Sequence, residues 1–295
     1  MPSHPRLDHA ELPEDSWDTH IHIFDPVRHP YEPDSPYIPP PCSVEQLLDA
    51  VPCSNFCIVM AMPEGTRPEL ALESVAKISS LPGRTARATI VLDFDRVPDE
   101  QLQQLHTKGV RSIRIHTKGA ITKGLSGDEA LREYIVKVAE RIAPLGWSLD
   151  GQLRTAQWVT LAPTIIELHG RLGITFVADH CFYLEPEDYG TPAWETCLSL
   201  VDRGIVYVKI SGLDRLVKDN DLAATKDTVI GLTTAHNGER CLFGSDWPHV
   251  VGQTTHFGEG LMPIDSFIEL GYHKQWLSPE TFANLLVHNP RRLYL

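Results

Sequence analysis

The pattern that most constrains this chain is an alternation. Between residues 17 and 295 a short apolar run is followed by a longer amphipathic stretch, eight times over. The runs cover residues 18–24, 55–62, 86–93, 110–116, 147–153, 175–180, 206–211 and 241–246. Asn55-Phe-Cys-Ile-Val-Met-Ala-Met62 is apolar throughout, as a strand buried on both faces must be. Helix starts punctuate the intervals: Ser43 with Gln46, Thr66 with Glu69, Ser126 with Glu129, Thr191-Pro192 and Ser278-Pro279. They predict helices over 43–50, 66–79, 98–106, 130–143, 160–172, 191–202 and 222–236, and a last one from 278 that stops before Pro290. Buried strands alternating with amphipathic helices make a parallel sheet, and eight units close it into a (β/α)8 TIM barrel. The competing open sheet calls for a Gly-rich turn after its first strand, where this chain has Phe24-Asp25-Pro26. The expectation is an N-terminal tail, 1–16, and one barrel domain, 17–295.

A second feature is the stretch 25–41, which holds seven of the 23 prolines together with Tyr31 and Tyr37. Proline withholds ladder donors and fixes φ, so this reads as an ordered loop after strand one, placed as a lid. Charge then narrows the partners. With 39 acidic against 26 basic residues the net charge is −13, which argues against nucleic acid and against an anionic membrane. An anionic small-molecule substrate would have to be held by a local cluster of Arg and Lys. The six cysteines show no CxxC pair, residues 1–16 lack the apolar core of a signal peptide, and the longest apolar run, 56–62, is far short of the roughly 18 residues of a membrane span. A cytoplasmic protein is expected, and its oligomeric state stays open.

Barrel sites form at the C-terminal ends of the strands. In Asp18-Thr19-His20-Ile21-His22, period-two alternation puts both imidazoles on one face. The other strand ends supply Arg114 and His116, Asp150 and Gln152, His180, Lys209 and Ser211, and Asp246. Three histidines and an aspartate gathered at one end of a barrel need one another, a ligand or a metal. His20, His22, His180 and Asp246 would complete a mononuclear zinc site. Lys118 lies past the end of strand four, next to Gly119, and Trp247 and His249 follow strand eight at the mouth. His169, His236 and His288 fall on helical stretches and read as packing or surface residues.

Taken together, Asp18-Thr-His-Ile-His22, Val177-Ala-Asp-His180, Tyr207-Val-Lys-Ile-Ser-Gly212, Phe243-Gly-Ser-Asp-Trp-Pro-His249 and Asn289-Pro-Arg-Arg-Leu-Tyr294 resemble the amidohydrolase superfamily. More narrowly, they resemble the branch of 2-pyrone-4,6-dicarboxylate lactonase and the sugar-acid lactonases. The resemblance implies a barrel hydrolase that opens a lactone. Asp246 would be the general base for water, and His20, His22 and His180 would surround the carbonyl. Arg114 and Arg215 would hold substrate carboxylates, with Lys209, His116, Lys118, Tyr31, Tyr37, Trp247 and His249 as further binding candidates. The pyrone lactonase has a second arginine six residues after the first; this chain has Ala120 there, a departure that bears on the dicarboxylate. Several lactonases of the branch work without a metal, so none is expected to be required; one zinc is the alternative. Two rivals remain: a zinc-dependent non-oxidative decarboxylase resembling the aminocarboxymuconate semialdehyde decarboxylases, and an inactive barrel that only binds. Presence of all four central residues argues against the second.

Overall fold

In the computed structural model, which describes residues 4–116, 125, 127–218, 221–250, 261–262 and 264–295, eight strands form one sheet in sequence order. They are β1 Trp17–Ile21, β2 Asn55–Val59, β3 Ala86–Ile90, β4 Val110–His116, β5 Ser148–Gln152, β6 Phe176–Ala178, β7 Val206–Ser211 and β8 Cys241–Gly244. Every neighbouring pair is parallel. The expected (β/α)8 barrel is what forms. Several strands are shorter than the apolar runs, because the polar residues at their C-terminal ends leave the ladder and turn into the site. His22, Asp179, His180 and Asp246 all lie just past a strand.

The seam between β8 and β1 matters most for function. Ile21 bridges Trp247 in parallel fashion. The Asp246 N–H donates to His20 O at 2.9 Å, and the His22 N–H donates to Trp247 O at 2.8 Å. Thr19 Oγ1 donates to Phe243 O at 2.7 Å. These bonds close the barrel and, by doing so, bind the backbones of His20 and His22 to those of Asp246 and Trp247. Gly244 is required here: a Cβ would stand 2.6 Å from the Cβ of His20.

The barrel helices are α1 Val44–Ala50, α2 Glu69–Ser79, α3 Asp99–Thr107, α4 Gly127–Ile142, α5 Thr155–Leu172, α6 Pro192–Asp202, α7 Lys226–Thr234 and α8 Ser266–Trp276. Ser43 and Gln46 form the reciprocal cap read from the sequence. Thr66 does not cap α2; Pro68 stands at the N-cap with no side-chain bond. Ser126 lies outside the described residues. α5 begins at Thr155, five residues before its expected start, and carries Pro163 inside. The C-terminal helix does not stop before Pro290. After α9, Pro279–Ala283, a π-helical turn Asn284–His288 leads into α10, Asn289–Tyr294. Pro290 falls in the first turn of α10, where no backbone donor is needed.

One helix has no counterpart in the sequence reading. α8 buries Ser266, Glu269 and His273, so its inward stripe is polar and looks like an outward one. Residues 4–16, set apart as a tail, lie against it: Leu7 is buried, its N–H donates to Phe267 O, and Arg6 pairs with Asp265.

Candidate active site

His22 anchors the site. Its Nδ1 is 2.7 Å from Val59 O at the end of β2. A carbonyl only accepts, so Nδ1 carries a proton and donates. Nε2 then points at Asp246 Oδ1, 3.3 Å away. His20 Nε2 faces the same oxygen at 3.5 Å. The two rings are nearly perpendicular, with centroids 5.1 Å apart, and the His180 ring stands 4.9 Å from His20. The other oxygen of Asp246 accepts two bonds from Arg215, from Nε at 2.8 Å and Nη2 at 2.5 Å. Burial disfavours the charge on Asp246, but Arg215 and then His180 outweigh it and hold the carboxyl well below its usual range. Burial also pushes His180 down to about 4 and His20 well below the usual imidazole range. An ionised carboxylate therefore lies beside the neutral rings of His20 and His180.

Beneath them runs a second layer that no solvent reaches. Lys209 Nζ on β7 is 2.7 Å from Asp150 Oδ2 on β5, 3.0 Å from Asp179 Oδ1 past β6 and 3.3 Å from His20 Nδ1 on β1. Lys209 therefore touches carboxylates and His20, and it does not line the pocket. Arg114 donates from Nη1 to Met60 O at 2.6 Å and from Nη2 to Gln152 Oε1, and it lies 3.6 Å from Asp179 Oδ2. Its Nε is buried without a partner.

Above the carboxylate is a small cavity of about 80 Å³, bordered by His22, Tyr37, Arg114, His116, His180, Arg215 and Asp246, among others. The structure thus gathers most of the expected site. Five of the described candidates lie off the cavity wall, His20 and Lys209 in the buried layer and three others elsewhere. Tyr31 donates its hydroxyl to Pro39 O within its own loop. Trp247 packs against Phe24 and Cys42. His249 is buried, with Nε2 3.3 Å from Ser266 Oγ. Lys118 lies outside the described residues.

Two buried carboxylates, one in the site and one in the field of Arg114, have no counterpart in the sequence reading. Asp179 sits beside the histidine of the Val-Ala-Asp-His run; a second polar residue at a buried strand end is the available signal. Glu64, after β2, is also buried, and accepts from Ala61 N at 2.7 Å. Burial pushes its carboxyl up to about 8.

The turn that carries His180 is unusual. His180, Cys181, Phe182 and Tyr183 have φ of 50°, 52°, 60° and 56°, four successive left-handed residues without a glycine. At about 1–2 kcal/mol each this is costly. Packing offsets it: Cys181 and Phe182 are fully buried, Phe182 meets Trp158 edge to face, and Thr155 Oγ1 lies 2.9 Å from both Phe182 O and Tyr183 O. Opposite, Gly212 at φ 57° leaves room for the ring; a Cβ there would be 2.8 Å from His180 Nδ1.

The His and Asp side chains form two groups able to hold one cation, His20–His22–Asp246 and His20–Asp179–His180. The four ligands expected together are thus divided, with His180 grouped with Asp179. His20 Nε2 is buried without a hydrogen-bond partner and faces the first group; it could ligate zinc only with its proton on Nδ1.

A barrel with paired strand-one histidines and a strand-eight aspartate defines a class. The amidohydrolase family model matches residues 17–295, and the chain belongs to this family and, with it, to the hydrolases. It is 27% identical to a 2-pyrone-4,6-dicarboxylate hydrolase of Comamonas testosteroni, over 99% of this chain and 93% of that one. It is 24% identical to a 4-sulfomuconolactone hydrolase of Hydrogenophaga intermedia, over 96% and 89%. An amidohydrolase of Burkholderia multivorans, solved with bound zinc, shares the fold with a TM-score of 0.63 and 17% identity, over 95% and 98%. Among the described residues no helix is long and apolar enough to cross a membrane.

Proposed function

We propose that this protein hydrolyses the lactone ring of a small carboxylated molecule, with Asp246 as general base. The observation that carries this reading is the Asp246 carboxylate, held ionised by Arg215 with its second oxygen turned toward His20 and His22. Water attacks the lactone carbonyl as Asp246 takes its proton. The oxyanion that develops is stabilised by the surrounding imidazoles, a role that typically changes rate by about 10²–10³ for each donor. When the ring C–O bond breaks, Asp246 returns the proton to the leaving oxygen. The ring-opened product gains a carboxylate and one proton is released to solvent.

Arg114 and Arg215 anchor the substrate carboxylate, Arg114 through the Nε that no protein group satisfies. Tyr37 and His116, which border the cavity, and Lys118 are further binding candidates. A cavity of about 80 Å³ is small for a carboxylated ring, so loop 25–41 acts as a lid, and Tyr37 withdraws to admit substrate. No metal is needed in this scheme. Zinc held by His20, His22 and Asp246 would supply a Lewis acid for the carbonyl. The same donor group is what favours the second reading, a zinc-dependent decarboxylase.

A panel of lactones (pyrone carboxylates, muconolactones and aldonolactones) assayed for proton and CO2 release tests both readings. Proton release without CO2, unaffected by chelation, is expected. CO2 release abolished by chelation would establish the decarboxylase instead.

A further inference from the structure

We propose that Lys209 is a positioning residue that fixes His20 as its Nε2–H tautomer, so that the ring turns a donor toward Asp246 and offers no lone pair to a divalent metal. The case is one of hydrogen-bond satisfaction. A buried ammonium has three protons and must place each of them. Lys209 is fully buried; it makes aligned hydrogen bonds to Asp150 Oδ2 at 2.7 Å and His20 Nδ1 at 3.3 Å, and Asp179 Oδ1 pairs with its charge at 3.0 Å. A proton on Nδ1 would point one donor at another and remove one of the two aligned acceptors, in a place where desolvation is expensive.

Asp179 Oδ1 competes for that nitrogen at 3.1 Å. Neither oxygen of Asp179 has an aligned hydrogen bond, however, whereas the Lys209–His20 contact does. Nδ1 is thus an acceptor. A neutral ring then carries its proton on Nε2, the buried atom that faces Asp246 Oδ1 at 3.5 Å.

The consequence separates two chemistries that share one set of side chains. His22 is held differently: its Nδ1 donates to Val59 O and its Nε2 lies 3.3 Å from Asp246 Oδ1. A zinc ion would need lone pairs from both rings, and Lys209 withholds one of them.

The test is long-range 1H–15N correlation NMR of histidine-labelled protein, with the His20 signals assigned by their loss in His20→Gln. The wild type is expected to show a non-protonated Nδ1 and a protonated Nε2 for His20. In Lys209→Met the proton moves to Nδ1, which then donates to Asp179. In the same variant, zinc titrated calorimetrically should bind about 10–100-fold more tightly, the range typical of changes behind a metal ligand. The kcat for a lactone should fall by about 10²-fold or more with KM nearly unchanged. That kinetic arm rests on the lactone reading, while the spectrum and the zinc titration do not. A protonated Nδ1 in the wild type overturns the proposal even if Lys209→Met fails to fold. Unchanged zinc affinity in a folded variant with a switched tautomer would overturn its second half.

Discussion

Asp246 and the arginines around it show how much individual side chains depend on their neighbours. Asp246 is a strong candidate base because Arg215 occupies one oxygen and leaves the other to the pocket. Its carboxyl is depressed, so the folded state keeps it ionised, and that form is lost only as pH falls through a value well below 3.8. Lactone kcat/KM should therefore show no acid limb above about pH 5. A pH–rate profile with a limb near 6 would point to a different base. Arg114 makes a second prediction. Under the proposed function its buried, unpartnered Nε serves a substrate anion, so Arg114→Lys should raise KM for a carboxylated lactone by about tenfold or more and leave a neutral lactone nearly unaffected. Much at this scale could be read from the sequence, since His20, His22, His180, Asp246 and Arg114 all stand at strand ends. Asp179 and Glu64 could not, because a carboxylate beside an obvious histidine, or in a three-residue turn, carries no periodic signal.

Elements were legible where burial is apolar. All eight strands and most helices follow from hydrophobic runs and their caps. α8 was hidden because Glu269 and His273 face inward. The left-handed turn 180–183 was hidden because no glycine announces it. That turn owes its shape to packing, and Gly212 is the part of the packing most open to test. At φ 57°, an added Cβ would both strain the backbone and press on His180. Gly212→Ala should lower stability by about 1–3 kcal/mol in thermal unfolding and depress kcat more than it raises KM. A variant with full activity would mean that the His180 ring can shift without consequence.

The whole molecule places a polar network along the axis of a barrel whose interior is more commonly aliphatic. Lys209, Asp150, Asp179 and His20 connect four strands or strand ends, and Glu64 adds a further buried carboxyl. Glu64 has a folded value of about 8 against 4.5 for the free group. The native state thus binds more protons than the unfolded chain in this window, and stability falls as pH rises from about 4.5 to about 8. Glu64→Gln keeps an acceptor for Ala61 N and cannot ionise. Its melting temperature should decline less than that of the wild type between pH 5 and pH 8, and equal declines would mean that the Glu64 carboxyl is not raised in the folded protein. Topology gathers these residues from across the chain, and alternation in the sequence was enough to read that topology. Their pairing depends on barrel registers that no local pattern encodes.

The central claim is that the Asp246 carboxylate drives lactone opening. Asp246→Asn preserves size and removes the base, so the decisive measurement is kcat/KM of both proteins on the best lactone of the panel, followed by proton release. We expect a loss of about 10³-fold or more in the variant, with its thermal stability recorded alongside. Equal rates in the two proteins would contradict the account.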